Sequence, residues 1–514
     1  MKRLVDFVHN MATFAAVFSL FVIAVVSLLG LIFSAISLYL AYLHRKYSHL
    51  PGPKRDSFFL GNIPHILRER ERGKIIHEIM HDMHRIYGPV VLMWAYHRPF
   101  IFVSDPELVR KCLITLNLPK NLAVYDHLGY PFGQRMAGRG VLNEVDHEVW
   151  QRRRALLNPA FHRRYLMNLM PAFNGSCDLF LAKLDKMADG KTVVDMAQEF
   201  ARVTLDVIGK VAFDVDIDTI RDDNSPFPSS ISKCLQGIQE SLRRPFWRIS
   251  VSTFPFQRSV IKACQFIRNF ARKVILERQE AVLRGENTPP DILAHILSVA
   301  EKEPSITVED LIDDFTTFFV AGQETTSNQL SFTLYEILKH PDIENRIIQE
   351  IEAVLGCRQF AEYMDLGNLQ FLGQTLKESL RLHPPVSGTT RITTKDENIG
   401  GHLLPRGTSV NISAFIMHRY SEAWQEPDKF DPDRFSPAAK GEIPHSVFFP
   451  FSLGPRTCIG QTFAQIEARV FMARLLQEFE LSLCPGQDKM EHEERLTLRP
   501  KGGVLCTLRR RNES

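Results

Sequence analysis

From Met11 to Leu43 no position carries a charge and most are apolar. A helix of that length would rise about 50 Å, more than the ~30 Å hydrocarbon core of a bilayer requires. The pattern predicts an uncleaved anchor at residues 1–45 that tilts or lies partly in the interface, followed by a body at 46–514. A signal peptide has a shorter apolar run, about 7–15 residues. Leu50-Pro51-Gly52-Pro53 reads as a stiff hinge, because each proline fixes its own φ. Val90–Trp94 and Phe100–Val103, separated by a polar break, predict a hairpin. From Pro106 to Glu350 the periodicity is overwhelmingly helical. The longest helix is expected at Val308–Lys339, with a capping-box start at Thr307 and Asp310 and Pro341 beyond its end. Its apolar middle predicts a course through the core. Strand patterns return at Thr408–Ile416 and Val504–Leu508. The class is mostly α with a smaller β part.

Composition changes this picture little. The chain has 514 residues, 45% hydrophobic and 24% charged, as expected of a folded protein with a large core. A net charge of +3 gives no support to nucleic-acid binding. Eight cysteines lie scattered without a CxxC pair, the usage of a reducing compartment. Arg45, Lys46, Lys54 and Arg55 outnumber Lys2 and Arg3 across the span, so the body should face the cytosol. On that topology the sequons at Asn174, Asn411 and Asn512 go unused.

The strongest chemical signal is Phe451-Ser-Leu-Gly454-Pro-Arg456-Thr-Cys458-Ile-Gly460. Gly454 and Gly460 permit tight turns and close approach to a flat cofactor. Arg456 suits a carboxylate, and Phe451 shields the sulfur from water. A helix expected at Gln461–Glu478 points its N-terminus at Cys458, favouring a thiolate. This loop resembles the haem-thiolate signature of the cytochrome P450 monooxygenases at every fixed position. The resemblance implies the cytochrome P450 fold, a single large domain behind a transmembrane anchor, with haem b (iron protoporphyrin IX) ligated by Cys458. A thiolate ligand favours O–O cleavage. Motifs spread from residue 150 to 460 also argue for one domain, although length alone would suggest about three.

Ala321-Gly322-Gln323-Glu324-Thr325-Thr326 places a glycine and two β-branched residues in mid-helix, each unfavourable there. A local opening of the helix for a ligand, or a solvated polar turn, would account for them. Given the cysteine loop, the run resembles the family's acid–alcohol pair, which implies that Thr325 hydrogen-bonds dioxygen and Glu324 relays protons. Glu378 and Arg381, at i,i+3 on one helix, together with Arg434, resemble the family's buried structural lock. Trp150 and Arg154 resemble its helix contact to one haem propionate, with Arg391 and Arg456 as further propionate ligands. Arg152, Arg153, Arg163 and Arg164 form a basic face, either simply solvated or a docking surface for an acidic electron donor.

Expected pocket lining comes from Tyr125, Leu128, Phe132, Phe319, Ala321, Val386, Thr390, Val504 and Leu505. It is mostly apolar and suits a lipid. Trp247, Phe254, Pro255 and Phe256 form a cluster that is either core or a second membrane contact. Across the whole chain, Lys377–Pro385, Phe448–Gly454 and Val504–Leu508 resemble the microsomal cholesterol 24-hydroxylases, although Ser387 and Thr390 stand where those enzymes carry bulky aromatics. The resemblance implies a monooxygenase of the endoplasmic reticulum membrane. It would use O2 and electrons from NADPH-cytochrome P450 reductase to hydroxylate a lipid, a sterol foremost. The alternatives are a haem-thiolate isomerase or dehydratase of lipid peroxides, and a non-catalytic haem- or lipid-binding protein. The first of these commonly lacks the acid–alcohol pair.

Overall fold

A computed structural model describes residues 1–244, 247–302, 306–439 and 443–511; the sequon at Asn512 lies outside them. Helix accounts for 58% of the chain and strand for 10%. Contacts group the chain into two units, residues 1–102 with 398–403, and residues 103–397 with 404–514. The expected boundary after residue 45 falls inside the first.

In the first unit α1 (Lys2–Lys46) is a continuous helix; within its span from His9 an 18-residue stretch has a mean hydropathy of 2.8 and is uncovered by the protein, while Leu40 and His44 near its end are buried. An apolar cylinder that long, uncovered by its own chain, fits a membrane anchor. Its last turn carries His44, Arg45 and Lys46, cations suited to a helix C-terminus. His44 and Tyr47 set their rings edge-on to Trp94, at 4.8 and 5.9 Å. The predicted hairpin forms as β1 (Val90–Ala95) and β2 (Arg98–Val103), adjacent in one sheet. The proline-rich stretch is not a free hinge. Leu92 N–H donates to Pro51 O at 2.7 Å, and a Cβ on Gly52 would lie 2.2 Å from Leu92 O. The segment is a strap along β1.

The second unit is built around one long helix. In chain order it contains α2 (His147–Leu157), α3 (Met196–Val207), α4 (Pro226–Arg243), α5 (Phe254–Leu283), α6 (Val308–Lys339), α7 (Gln370–Leu382) and α8 (Gln461–Glu478). The Thr307–Asp310 capping box starts α6 where its sequence predicts, and α3, α5, α7 and α8 all pack on it. Nearly every α6 side chain from Leu311 to Val320 is buried. Phe315 and Phe319 stack within a cluster that includes Phe213 and Phe270, with centroids 3.9–6.4 Å apart. Each such pair adds about 1 kcal/mol beyond its buried area.

The β part of this unit includes the following strands. β3 (Gly388–Ile392) runs antiparallel to β4 (Ser409–Ser413), Arg391 opposite Val410. The strand expected to continue to Ile416 instead turns into a short helix at Ala414–Met417, because the Ser413 hydroxyl caps Ile416 N–H. β5 (Phe479–Leu483) pairs with β8 (Leu505–Arg510). Between them, β6 (His492–Glu494) and β7 (Leu498–Pro500) form a small hairpin. Asn174 is buried, its amide donating to Met170 O and Ala361 O, so the folded body offers no glycan acceptor there.

Candidate active site

The cysteine loop is closed by its own backbone. Cys458 N–H donates to Phe451 O at 2.9 Å, and the Thr457 N–H and hydroxyl both donate to Gly454 O. Gly454 sits at φ +77°, and a Cβ there would meet Leu113 O at 2.4 Å. Its glycine is required by a neighbouring backbone rather than by a cofactor. Cys458 keeps exposed surface, yet burial is the largest influence on its thiol and pushes the pKa up. Gly460 N–H and Arg154 pull the other way without winning. A bound metal would displace the thiol proton.

Four cations gather in the same unit. The Arg456 guanidinium lies over the Trp150 ring, 3.8 Å from its centroid, and donates to Glu144 O at 2.8 Å. Its Nη2 is buried without a partner. Burial, then repulsion from Arg391, lowers its pKa to about 10. Arg391 is buried, and its guanidinium donates to the Thr389 hydroxyl and Thr390 O. Burial also lowers Arg154, whose Nε donates to Asn158 Oδ1. Lys120, which sequence reading passed over, is buried and held well below its usual pKa by burial and then by Arg391, Arg456 and Arg154. Its ammonium donates to Leu142 O. Among the described residues none of the four is salt-bridged. So many uncompensated cations call for a dianionic ligand.

On α6 the fully buried pattern breaks at Ala321, Gly322, Glu324 and Thr325, which keep partial exposure. The helix does not open there. A Cβ on Gly322 would lie 2.9 Å from Ile208 Cδ1, so Ile208 packs directly against the helix backbone here. Thr325 Oγ1 donates back to Ala321 O at 2.8 Å. Glu324 Oε1 accepts from Thr497 Oγ1 at 2.7 Å and from Asn328 Nδ2 at 3.1 Å. Neither Thr497 nor Asn328 carried any sequence signal.

Glu378 and Arg381 on α7 form a bidentate pair at 2.7 and 2.8 Å with both side chains fully buried. Arg381 also donates to the carbonyls of His418, Pro427 and Lys429, and Arg434 Nε approaches Glu378 at 3.4 Å. The basic face is smaller than expected. Arg152, Arg163 and Arg164 are exposed, but Arg153 is buried against Asp314 of α6 at 2.5 Å.

The expected pocket residues divide. Phe319 and Val504 are completely enclosed, so they belong to the core rather than to any accessible wall. Tyr125 is buried, 3.0 Å from the Thr389 hydroxyl and under the Lys120 ammonium. Leu128, Ala321 and Leu505 are half-buried, Val386 is exposed, and Thr390 donates to Asn411 Oδ1. Phe132 sits at φ +50° and meets Trp247 and Phe256 edge-on. It borders a cavity of about 390 Å³ shared with Gln236, Gln239 and Glu240 of α4, a more polar lining than the sequence suggests.

A partly accessible cysteine thiol within electrostatic reach of Arg154, itself grouped with Lys120, Arg391 and Arg456, suits a haem-thiolate protein. The family model of cytochrome P450 matches residues 51–507, and the chain belongs to that family. It is 29% identical to cytochrome P450 4d2 of Drosophila melanogaster, over 90% of this chain and 94% of that protein. It is 30% identical to cytochrome P450 3A29 of Sus scrofa (88% and 90%) and to leukotriene-B4 omega-hydroxylase 3 of Mus musculus (91% and 91%). The chain is thus a monooxygenase of a family that binds haem b through a cysteine thiolate. Its residues fit that group. The cation cluster matches two propionates.

Proposed function

We propose that the protein is a membrane-anchored monooxygenase of the endoplasmic reticulum, with residues 1–45 as anchor and 46–514 as a body in the cytosol. It hydroxylates an apolar lipid, a sterol foremost, with electrons from an NADPH-dependent reductase. The observation that carries the site assignment is the partly accessible Cys458 thiol within electrostatic reach of Arg154, itself grouped with Lys120, Arg391 and Arg456. Cys458 would hold the iron, and Lys120, Arg154, Arg391 and Arg456 would hold the propionates, with Trp150 fixing Arg456 by stacking. When bound, the haem supplies oxygen activation, which a thiolate ligand promotes. Glu324 holds and passes on the protons the reaction consumes, and Thr325 orients the oxygen by hydrogen bonding. Phe451 keeps water from the sulfur. Glu378, Arg381 and Arg434 lock the segment after α7 and have no part in the chemistry.

The lipid reading is supported by the anchor, which places the body beside a store of apolar substrate, and by the relative named for a leukotriene. The sterol reading rests on the whole-chain resemblance. A spectral binding screen of the purified protein against sterols, fatty acids and retinoids, followed by product identification, tests it. A sterol should perturb the haem spectrum and yield one hydroxylated product. Turnover of fatty acids alone would reject the sterol. Full activity in Cys458→Ser would reject the site.

A further inference from the structure

The turn between β6 and β7 touches two places at once. On one side Thr497 Oγ1 donates to Glu324 Oε1 at 2.7 Å, and Asn328 Nδ2 lies 3.4 Å from the same hydroxyl. Thr497 and Asn328 are both buried. A partly exposed carboxylate whose one oxygen is held by two buried donors has a preferred rotamer, because leaving it forfeits charge-assisted bonds. On the other side the turn is tied to α4. Gln239 Nε2 donates to Glu494 O at 2.5 Å and to Arg495 O at 2.9 Å, and Arg495 Nη1 donates to Ser232 Oγ at 2.9 Å. Gln239 also borders the cavity beside Phe132. The hairpin is fixed at its base, where Leu498 N–H donates to Pro385 O at 2.8 Å. One short element therefore links a cavity wall to the carboxylate of Glu324.

We infer that Thr497 is a positioning residue for Glu324, and that the β6–β7 turn carries the position of α4, set by what occupies the cavity, to that carboxylate. This rests on the proposed proton-relay role of Glu324. With the cavity wall seated, Thr497 presents Glu324 in the geometry needed to pass on protons. With α4 displaced, the Gln239 bonds pull the turn and Glu324 loses its Thr497 donor, keeping only Asn328. Proton delivery is thereby matched to substrate occupancy, which limits wasted reduction of oxygen to peroxide.

The test uses the full-length, haem-loaded protein with Thr497→Val, Thr497→Ser, Asn328→Ala, Gln239→Leu and Glu324→Gln. The first readout is the infrared carboxylate band of Glu324 in the resting protein, assigned by its loss in Glu324→Gln. Thr497→Val should shift that band, Asn328→Ala should shift it less, and Thr497→Ser should restore it. The second readout is the ratio of hydrogen peroxide to hydroxylated product. Removing a proton donor outright costs about a hundredfold or more, so misplacing one should raise this ratio by about tenfold in Thr497→Val. Gln239→Leu, acting at a distance, should raise it by about threefold. An unchanged band and ratio in Thr497→Val would overturn the inference while leaving Glu324 its role, provided Glu324→Gln uncouples. If Glu324→Gln also leaves the ratio unchanged, the proton-relay reading itself fails. A Gln239→Leu ratio equal to that of the parent would overturn the link to α4.

Discussion

Arginines 152, 153 and 154 are consecutive in the chain, and replacing each by alanine should give three different outcomes. Arg152 is exposed, and its loss should change stability by no more than about 0.5 kcal/mol. Arg153 is 6% exposed and bound to Asp314, itself 2% exposed, at 2.5 Å; it also donates to Arg139 O at 2.7 Å. Its removal leaves a carboxylate buried without its counter-ion, a loss of about 3–5 kcal/mol. The orphaned carbonyl adds about 1 kcal/mol. Against a total of roughly 5–15 kcal/mol for a folded protein, that is a large share. Arg154 makes one bond, to Asn158, so its loss should spare stability and lower haem content instead. Urea unfolding followed by circular dichroism, with haem measured by absorbance, separates the three. The Arg153 effect should also depend on pH. Burial already raises the Asp314 pKa above 3.8, opposed by Arg153 and the Val141 N–H, and without Arg153 it rises further. A carboxyl raised in the folded state binds its proton more tightly there. Its stabilisation is full below the unfolded value and is lost as pH climbs through the folded one. The gap between Arg153→Ala and the parent should therefore narrow toward acid. Equal unfolding midpoints for Arg152→Ala and Arg153→Ala, or a gap independent of pH, would refute this reasoning.

Three further outcomes are expected. Gly454→Ala places a Cβ 2.4 Å from Leu113 O at a φ of +77°, so the loop must shift; the reduced, CO-bound spectrum should lose its thiolate form while circular dichroism is unchanged. Arg381→Lys replaces a fork making five hydrogen bonds by a group with three donors. The loss should be about 2–4 kcal/mol, read as a lower thermal midpoint. Glu336, 2.7 Å from His383, has its pKa raised by burial from 4.5 to about 7. Its stabilisation is present below 4.5 and is lost as pH rises through about 7, so Glu336→Gln should flatten stability against pH between those values.

What the sequence made legible was local. The bounds of α6 and α8 follow from residues next to them, the Thr307–Asp310 box, Pro341 and Gly460, and the structure places both helices as predicted. The cysteine loop is likewise one contiguous run. What stayed hidden depends on partners far along the chain. Arg153 meets Asp314 across 161 positions, Thr497 meets Glu324 across 173, and Arg456 meets Glu144 across 312. No spacing rule links such residues. Gly322 shows the same limit, since its neighbour Ile208 lies on another segment. Phe319 was misplaced because an apolar residue on α6 reads alike whether it faces a ligand or four other phenylalanines.

The stack of Arg456 on Trp150 also sets a schedule. Lys120, Trp150 and Arg154 are made early, while Arg456 and Cys458 come near the end of 514 residues. At about 5–20 residues per second the interval is on the order of half a minute. Throughout it the anchor has already left the ribosome, and the basic rim has neither its arginine partner nor a sulfur to face. Haem capture must then wait until the residues around Cys458 have been made. A supply of haem that arrives during synthesis would find nothing there to hold it.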